Sequence, residues 1–312
     1  MNLIEQATRR IEELRRAGIQ IPADGVEPTR PDAAVAPVAS APRAESVPDA
    51  SAASASASAE RVSESANDRS LGKTSREVTI DLGDLAARGY LTPMLSDRAL
   101  AEQIRVIKQA VLKNVEVAGQ HGLRRNLVLV TSSASGEGKT FVSMNLAMSL
   151  AMEVDRHALL VDADVLRPSV LQRYGIEPTL GLMELAARPD LDISDVLLRT
   201  NIPKLSLLPA GQPDQKSPEL LSSAYIDSML TELSERYADR LVIFDAPPVL
   251  VSSGTRHLAT RVGQVIMVVQ ADEADARTVA LAFEAVEACP IVSSVLNRSS
   301  LPDAGVYDYY EA

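Results

Sequence analysis

Residues 126–140, NLVLVTSSASGEGKT, join a short apolar run to a glycine-bearing loop that ends in Gly-Lys-Thr. Residues 127–130 are apolar and partly β-branched, which predicts a buried strand, and the apolar spacing over 141–152 predicts a helix. A glycine-containing loop between a strand and a helix points backbone N–H groups at an anion. The segment therefore predicts a nucleotide phosphate-binding loop more strongly than an ordinary turn before a helix.

The residue types in this loop suit particular parts of a nucleotide. Lys139 supplies positive charge to terminal phosphates, and Thr140 offers a hydroxyl to Mg²⁺. Ser133 replaces the first glycine of the standard loop. The predicted nucleotide-binding residues are Ser135, Gly136, Glu137, Gly138, Lys139, Thr140 and Phe141.

Two further strand-like runs end in carboxylates. Residues 158–161 lead into Asp162 and Asp164, and residues 241–244 lead into Asp245 and two prolines. An aspartate after a strand also suits a helix N-cap, but the carboxyl ends of parallel strands gather at one ligand-binding edge. We therefore predict a Mg²⁺ site made of Thr140, Asp162 and Asp245, and catalytic roles for Lys139, Asp162 and Asp164.

Alternating strands and helices define the expected fold class. Strands are predicted at 78–82, 158–161, 205–208, 241–244, 264–269 and 291–296, and helices at 96–118, 218–237 and 274–288. This alternation predicts an α/β fold, a P-loop NTPase-like, mostly parallel sheet with helices on both faces. Asn297 follows the last strand, where related nucleotide-binding folds often contact the base.

Together, SSASGEGKT, LLVDADVLRPS at 159–169 and LVIFDAPPVL at 241–250 resemble the three Walker motifs of bacterial tyrosine autokinases. The resemblance runs from about Leu100 to the C-terminus and is to the type without a fused transmembrane domain. It implies ATP and Mg²⁺ as cofactors and protein-tyrosine kinase activity tied to export of capsular and extracellular polysaccharides. Leu166 stands where the family has an arginine, and Arg167 follows it as a substitute.

The chain ends in GVYDYYEA, which concentrates three tyrosines in six residues. The resemblance implies that Tyr307, Tyr309 and Tyr310 are autophosphorylated in trans by a neighbouring subunit of a homo-oligomer. Added phosphates next to Asp308 would then repel the tail from a carboxylate-lined site. The alternative is a tail that docks its rings on the domain's own surface.

The family also carries a helix with Glu, two residues, Arg, two residues, Arg, which mediates subunit contact. Glu102, Arg105 and Lys108 follow that spacing and lie on one helical face, with lysine in place of the last arginine. The alternative is a solvated charged face of the helix.

The 312 residues are predicted to fall into four parts. Composition and apolar spacing predict an amphipathic helix over 1–20 and an Ala/Ser/Pro-rich disordered linker over 21–75, and the resemblance implies a kinase domain over 76–304 and a tyrosine tail over 305–312. No apolar stretch is long enough to span a bilayer, and no secretory signal is evident, which predicts a cytoplasmic protein. The resemblance adds peripheral placement at the membrane through a transmembrane chain-length-determinant partner. One cysteine excludes an internal disulfide, and 31 basic against 42 acidic residues argue against a nucleic-acid partner.

Two other functions stay open. One is a switch ATPase of the deviant Walker type, although Ala134 replaces the lysine that those proteins carry in the loop. The other is a weakly catalytic nucleotide-binding scaffold of an export complex, which the departures at Ser133, Leu166 and Lys108 would permit.

Overall fold

The computed structural model describes residues 75–94, 97–120, 124–188, 190–212 and 224–299. The expected N-terminal helix, nearly all of the linker and the tyrosine tail lie outside the described residues. The described residues all belong to one compact unit. Within them, no helix combines the length and the apolar character needed to cross a membrane.

A sheet of eight strands forms the centre of the described part of the chain. The strands are β1 (Arg76–Val78), β2 (Leu127–Ser132), β3 (His157–Asp162), β4 (Leu198–Thr200), β5 (Leu205–Leu208), β6 (Arg240–Asp245), β7 (Gln264–Gln270) and β8 (Val292–Asn297). Their spatial order is β1, β4, β5, β3, β6, β2, β7, β8. All neighbours pair in parallel except β4 and β5, which are antiparallel.

Nine helices accompany the sheet in the described residues. They are α1 (Leu82–Ala87), α2 (Arg98–Gln120), α3 (Lys139–Ala151), α4 (Val170–Arg173), α5 (Leu182–Ala187), α6 (Ile193–Val196), α7 (Ala224–Arg236), α8 (Ser253–Ala259) and α9 (Ala276–Glu284). The expected α/β class, with a mostly parallel sheet and helices on both faces, is confirmed.

Two apolar layers separate cleanly along β2 because side chains of a strand alternate between the faces of its sheet. Leu127 and Leu129 pack into the layer that contains residues of α5, α7, α8 and α9. Val128 and Val130 pack into the opposite layer with α1, α2 and α3. Every residue of β2 is buried, as expected for a parallel strand covered on both faces.

The predicted strands at 158–161, 205–208, 241–244, 264–269 and 291–296 are confirmed, with small shifts at their ends. The helix predicted at 96–118 is α2, and the predictions at 218–237 and 274–288 correspond to α7 and α9. Residues 218–223 lie outside the described part.

The strand predicted at 78–82 is wrong beyond its first residue. β1 ends at Val78, and α1 begins at Leu82. The Asp81 carboxylate accepts hydrogen bonds from the N–H groups of Gly83 and Asp84, at 2.9 and 3.0 Å. This N-cap starts a helix where apolar alternation had indicated a strand. The short strand β4 and the helices α4, α5, α6 and α8 were not predicted.

Candidate active site

A cleft of about 860 Å³ opens at the carboxyl edge of the sheet, above the ends of β2, β3 and β6. Its walls come from the phosphate loop, the segment after β3, the two prolines after β6 and the segment after α1. The side chains that line it include Arg88, Tyr90, Lys139, Thr140, Phe141, Asp164, Leu166, Arg167, Arg173, Asn297 and Arg298. Ser135, Gly136 and Gly138 also line it, so most of the predicted nucleotide-binding residues share one cavity.

The phosphate loop requires glycine at two positions. Gly136 has φ 90° and Gly138 has φ 97°, in the left-handed region where residues with a Cβ are strained. A Cβ on Gly138 would lie 2.1 Å from Asn297 Nδ2. That nitrogen donates to the Glu137 carbonyl at 2.8 Å, so Asn297 holds the loop from the end of β8.

The Glu137 side chain is almost fully buried beneath the loop, which the sequence did not indicate. Its carboxylate accepts from Ser133 Oγ at 2.8 and 3.0 Å and from the Ala134 N–H at 2.7 Å. The prediction that Glu137 contacts nucleotide therefore applies to its backbone, because its carboxylate is directed at the loop. Ser133, the residue that replaces the standard glycine, is a partner of this buried carboxylate.

Lys139 and Asp164 meet at the wall of the cleft. Lys139 Nζ lies 3.1 Å from Asp164 Oδ2, and the two side chains are 14% and 11% exposed. Asp164 Oδ1 accepts the Arg167 N–H at 3.2 Å. The predicted catalytic lysine and one predicted catalytic carboxylate are thus brought together, with restricted access to water.

Asp162 sits below the cleft and does not line it. One of its oxygens accepts the Asp164 N–H at 3.2 Å, and the other accepts the N–H groups of Ser169 and Val170 at 3.0 Å. Burial, and then repulsion from Asp245, raise the pKa of Asp162 to about 7, despite these hydrogen bonds. Its observed contacts position the segment that carries Asp164, and its role in catalysis stays a prediction.

Asp245 lies level with Asp162, since β3 and β6 pair these two residues in register. Its Oδ1 accepts Ser143 Oγ at 3.1 Å, whereas its buried Oδ2 has no hydrogen-bond partner among the described residues. Burial raises the pKa of Asp245, and nearby Lys139, Thr140 and Ser143 oppose that effect. A buried carboxylate oxygen without a partner fits a site for a hard cation.

The described residues contain no group of three or more His, Cys, Asp or Glu that would hold a metal by themselves. The predicted set of Thr140, Asp162 and Asp245 supplies two carboxylates and a hydroxyl. Mg²⁺ commonly uses one or two carboxylates together with substrate phosphates and water, so these residues fit that ion.

Arg88, Tyr90 and Arg173 line the cleft and are among the residues that sequence reasoning missed. The rings of Tyr90 and Phe141 pack with centroids 5.3 Å apart. Arg173 Nη1 donates to the Tyr90 hydroxyl at 3.0 Å, and Arg88 Nη2 donates to the Arg173 carbonyl at 2.6 Å. The segment after α1 is thereby attached to the first turn of α3. These contacts join segments that are distant in the chain, so no local sequence pattern predicts them.

The cleft is lined mainly by basic side chains, whereas a carboxylate-lined site was expected. Its charged lining residues are the basic Arg88, Lys139, Arg167, Arg173 and Arg298 and the acidic Asp164. Repulsion of a phosphorylated tail by lining carboxylates is therefore not supported. Leu166 and Arg167 both line the cleft and are exposed, which places Arg167 where it can contact a ligand.

The predicted subunit-contact residues on α2 do not all face outward. Arg105 pairs with Glu102 at 2.5 Å on the surface of the helix. Lys108 is buried, forms an ion pair with Glu153 and donates to the Ser149 carbonyl at 3.4 Å. Its side chain therefore joins α2 to α3 within the chain. The expectation that all three side chains project together is wrong for Lys108.

A parallel sheet with a phosphate loop, and with carboxylates at the ends of adjacent strands, defines a P-loop nucleotide-binding protein. Models of known protein families give no match to this chain. The tyrosine-protein kinase YwqD of Bacillus subtilis is 28% identical over 212 residues, 67% of this chain and 86% of YwqD. The putative tyrosine-protein kinase EpsB of Ralstonia nicotianae is 33% identical over 178 residues, 57% of this chain but 22% of EpsB.

Solved structures agree with these relatives. The kinase domain of the Escherichia coli tyrosine kinase ETK is 26% identical with a TM-score of 0.50, covering 57% of this chain and 71% of that domain. The VpsO kinase domain is 28% identical with a TM-score of 0.51, covering 62% of this chain and 97% of that domain. The chain is therefore similar in sequence and in fold to bacterial tyrosine kinases.

Proposed function

We propose that this protein transfers the γ-phosphoryl group of ATP to tyrosine hydroxyls, and that Lys139 and Asp164 act at the reacting groups. The observation that carries the proposal is their 3.1 Å contact at the wall of the cleft beside the phosphate loop. The relatives named as tyrosine-protein kinases and the kinase domain of the tyrosine kinase ETK support the same conclusion.

The loop supplies the binding energy for the nucleotide phosphates. Backbone N–H groups around Gly136 and Gly138 are positioned for anions, and the Lys139 ammonium neutralises the terminal phosphates. Thr140, Asp245 and Asp162 would hold Mg²⁺, whose charge offsets that of the phosphates when it is bound. The buried, unpartnered Asp245 Oδ2 supports this assignment.

Asp164 acts on the acceptor. When phosphates draw Lys139 toward the loop, the Asp164 carboxylate becomes available to a tyrosine hydroxyl in the cleft. The tyrosine oxygen bonds to the γ-phosphorus, the bond from that phosphorus to the departing ADP oxygen breaks, and Asp164 Oδ2 takes the hydroxyl proton. Most of the rate enhancement comes from positioning and charge neutralisation.

The acceptors in this proposal are Tyr307, Tyr309 and Tyr310 of a neighbouring copy in a homo-oligomer. The proposed context is polysaccharide export at the inner face of the membrane, with a transmembrane activator of the chain-length-determinant type. The exposed ion pair of Glu102 and Arg105 on α2 remains the proposed subunit contact.

The proposal predicts that Lys139→Met abolishes tyrosine phosphorylation, because the variant keeps the length of the side chain and loses its charge. The measurement is intact mass and phosphotyrosine mapping after incubation with ATP and Mg²⁺. Arg199→Gln, on β4 and away from the cleft, is the matched loss of one positive charge and should remain active.

Undiminished phosphorylation in Lys139→Met would refute the assigned site. Release of inorganic phosphate without phosphotyrosine would instead establish a nucleotide switch. Nucleotide binding with neither product, also when a transmembrane activator of the chain-length-determinant type is added, would establish a scaffold.

A further inference from the structure

Arg88, Tyr90 and Arg173 form a joined surface at one side of the cleft, here called the arginine wall. Arg88 donates to the Arg173 carbonyl, Arg173 donates to the Tyr90 hydroxyl, and the Arg88 guanidinium lies 5.8 Å from the centre of the Tyr90 ring. Tyr90 is buried against Phe141, which directly follows Thr140 of the phosphate loop. The wall is therefore fixed relative to the phosphate loop.

The wall is also fixed relative to Asp164. Arg173 is the last residue of α4, and the first residue of α4, Val170, donates its N–H to Asp162. Asp162 accepts the N–H of Asp164 as well. One buried carboxylate thus sets the positions of both the proposed proton acceptor and the helix that carries Arg173.

The cleft carries more basic than acidic side chains, and most of the basic ones lie outside the phosphate loop. Five basic side chains and one acidic side chain line the cleft in a chain of formal net charge −11. Lys139 belongs to the loop, and Arg298 binds Gln270 Oε1 at 3.1 Å beside the end of β7. Arg88 and Arg173 belong to other segments and lie exposed. Arg88 also pairs with Asp84 at 2.5 Å, and because this ion pair is exposed to water, its guanidinium can still turn to a second, anionic ligand together with that of Arg173.

We propose that the arginine wall selects an acidic segment around the acceptor tyrosine, and that its occupant is the C-terminal tail of a second copy of this chain. This inference rests on the proposed kinase function. In that tail Asp308 lies between Tyr307 and Tyr309, and Glu311 follows Tyr310, so every tyrosine is directly next to a carboxylate. Guanidinium groups pair with carboxylates through charge-assisted, often bidentate hydrogen bonds.

The ligand in the test is an octapeptide of residues 305–312 with phenylalanine at each tyrosine, so binding does not depend on phosphoryl transfer. A neutral version carries Asp308→Asn and Glu311→Gln. Binding of both peptides is measured by calorimetry to the full chain saturated with a non-hydrolysable ATP analogue and Mg²⁺. Wild type should bind the acidic peptide about three- to tenfold more tightly, and the preference should shrink as salt rises.

Arg173→Gln should reduce that preference to less than twofold and leave the affinity for the ATP analogue unchanged. If Arg173→Gln does not fold, Arg88→Gln is used in its place, with the same expected result. Arg199→Gln on β4 should keep the full preference. Kinetics with the tyrosine-containing peptide should show the loss in KM for peptide, with kcat and KM for ATP unaltered.

Equal affinity of wild type for the two peptides would overturn the proposal. So would a preference that survives both arginine substitutions, or a loss confined to nucleotide affinity, since the arginines would then serve ATP. Absence of phosphorylation of the tyrosine peptide, with the binding preference intact, would contradict the kinase function and leave the arginine wall supported as a binding surface.

Discussion

Gly138 cannot be replaced without strain, because its backbone is in the left-handed region and it lies against Asn297 at the end of β8. Its φ of 97° strains any residue with a Cβ, and that Cβ would meet Asn297 Nδ2 at 2.1 Å. We expect Gly138→Ala to weaken ATP binding at least tenfold, corresponding to about 1.4 kcal/mol, because the amide of Asn297 must move and the loop with it. Titration with a fluorescent ATP analogue measures the effect.

Gly175→Ala is the control for strain alone, because Gly175 has φ 71° and open space where its Cβ would lie. It should lower stability and leave nucleotide affinity unchanged. Combining Gly138→Ala with Asn297→Ala should recover part of the lost affinity. Absence of recovery would show that the collision with Asn297 is not the cause.

Glu137 is expected to stabilise the folded loop. Glu137→Ala leaves the Ser133 hydroxyl and the Ala134 N–H without their buried acceptor, which costs about 1–3 kcal/mol of unfolding free energy. Urea unfolding gives this value. Ser133→Gly restores the standard loop residue and keeps the bond from Ala134, so it should cost less; the reverse order would contradict this account.

Local chemistry in the sequence was sufficient to predict that Lys139, Asp164 and Asp245 lie near one another, because the glycine loop and the strand ends meet at one edge of the sheet. It could not show that Glu137 turns inward or that Ser143 binds Asp245, since a buried polar partner is chosen by tertiary packing. Tyr90 was missed for the same reason: its partners Phe141 and Arg173 are distant in the chain.

Helix α6 depends on a charged cap. Asp192 accepts the Ser194 N–H at 2.9 Å and pairs with Arg236 at 2.9 Å. Burial raises the pKa of Asp192, but the bonds from Arg236 and Ser194 outweigh it and bring the pKa to about 2. Because this lies below the unfolded value, the stabilisation is present above about pH 4 and is lost as the pH falls toward 2.

We therefore expect Asp192→Asn to lower the unfolding free energy at pH 7 by no more than about 1 kcal/mol, since the pair is partly exposed. The difference from wild type should vanish near pH 2, as followed by urea unfolding across this range. Asp190→Asn, which removes a more exposed partner of Arg188, is the matched control and should change stability less. A deficit of Asp192→Asn that is independent of pH would contradict the charge-based explanation.

Elements with strong periodicity were predictable, and short ones were not. β2, β3, β6 and β7 are long apolar runs that must be covered on both faces, so their pattern leaves few options. Over 78–82, the apolar alternation was too short to distinguish a strand from a helix. In the structure Asp81 is an N-cap, and a helix begins at Leu82. Three-residue β4 gains its stability from β1 and β5, which local sequence does not reveal.

Across the whole molecule, the segment before α2 links the far edge of the sheet to the site. β1 pairs with β4 at the edge, and the chain then returns through α1 to place Tyr90 against Phe141. The proposed kinase domain therefore includes β1, α1 and the segment after α1 in addition to the phosphate loop and the central strands. Its cleft is completed by residues upstream of the motifs that resemble the kinase family.

The central claim is that one subunit phosphorylates the tail of another, and its most direct test mixes two variant chains, neither of which can phosphorylate its own tail. One chain carries Lys139→Met and keeps the tyrosine tail; the other keeps Lys139 and carries phenylalanine at Tyr307, Tyr309 and Tyr310. With ATP and Mg²⁺, mass spectrometry should find phosphate on the tail of the Lys139→Met chain in the mixture and on neither chain alone. A mixture without tail phosphotyrosine, while wild type under the same conditions is phosphorylated, would contradict transfer between subunits.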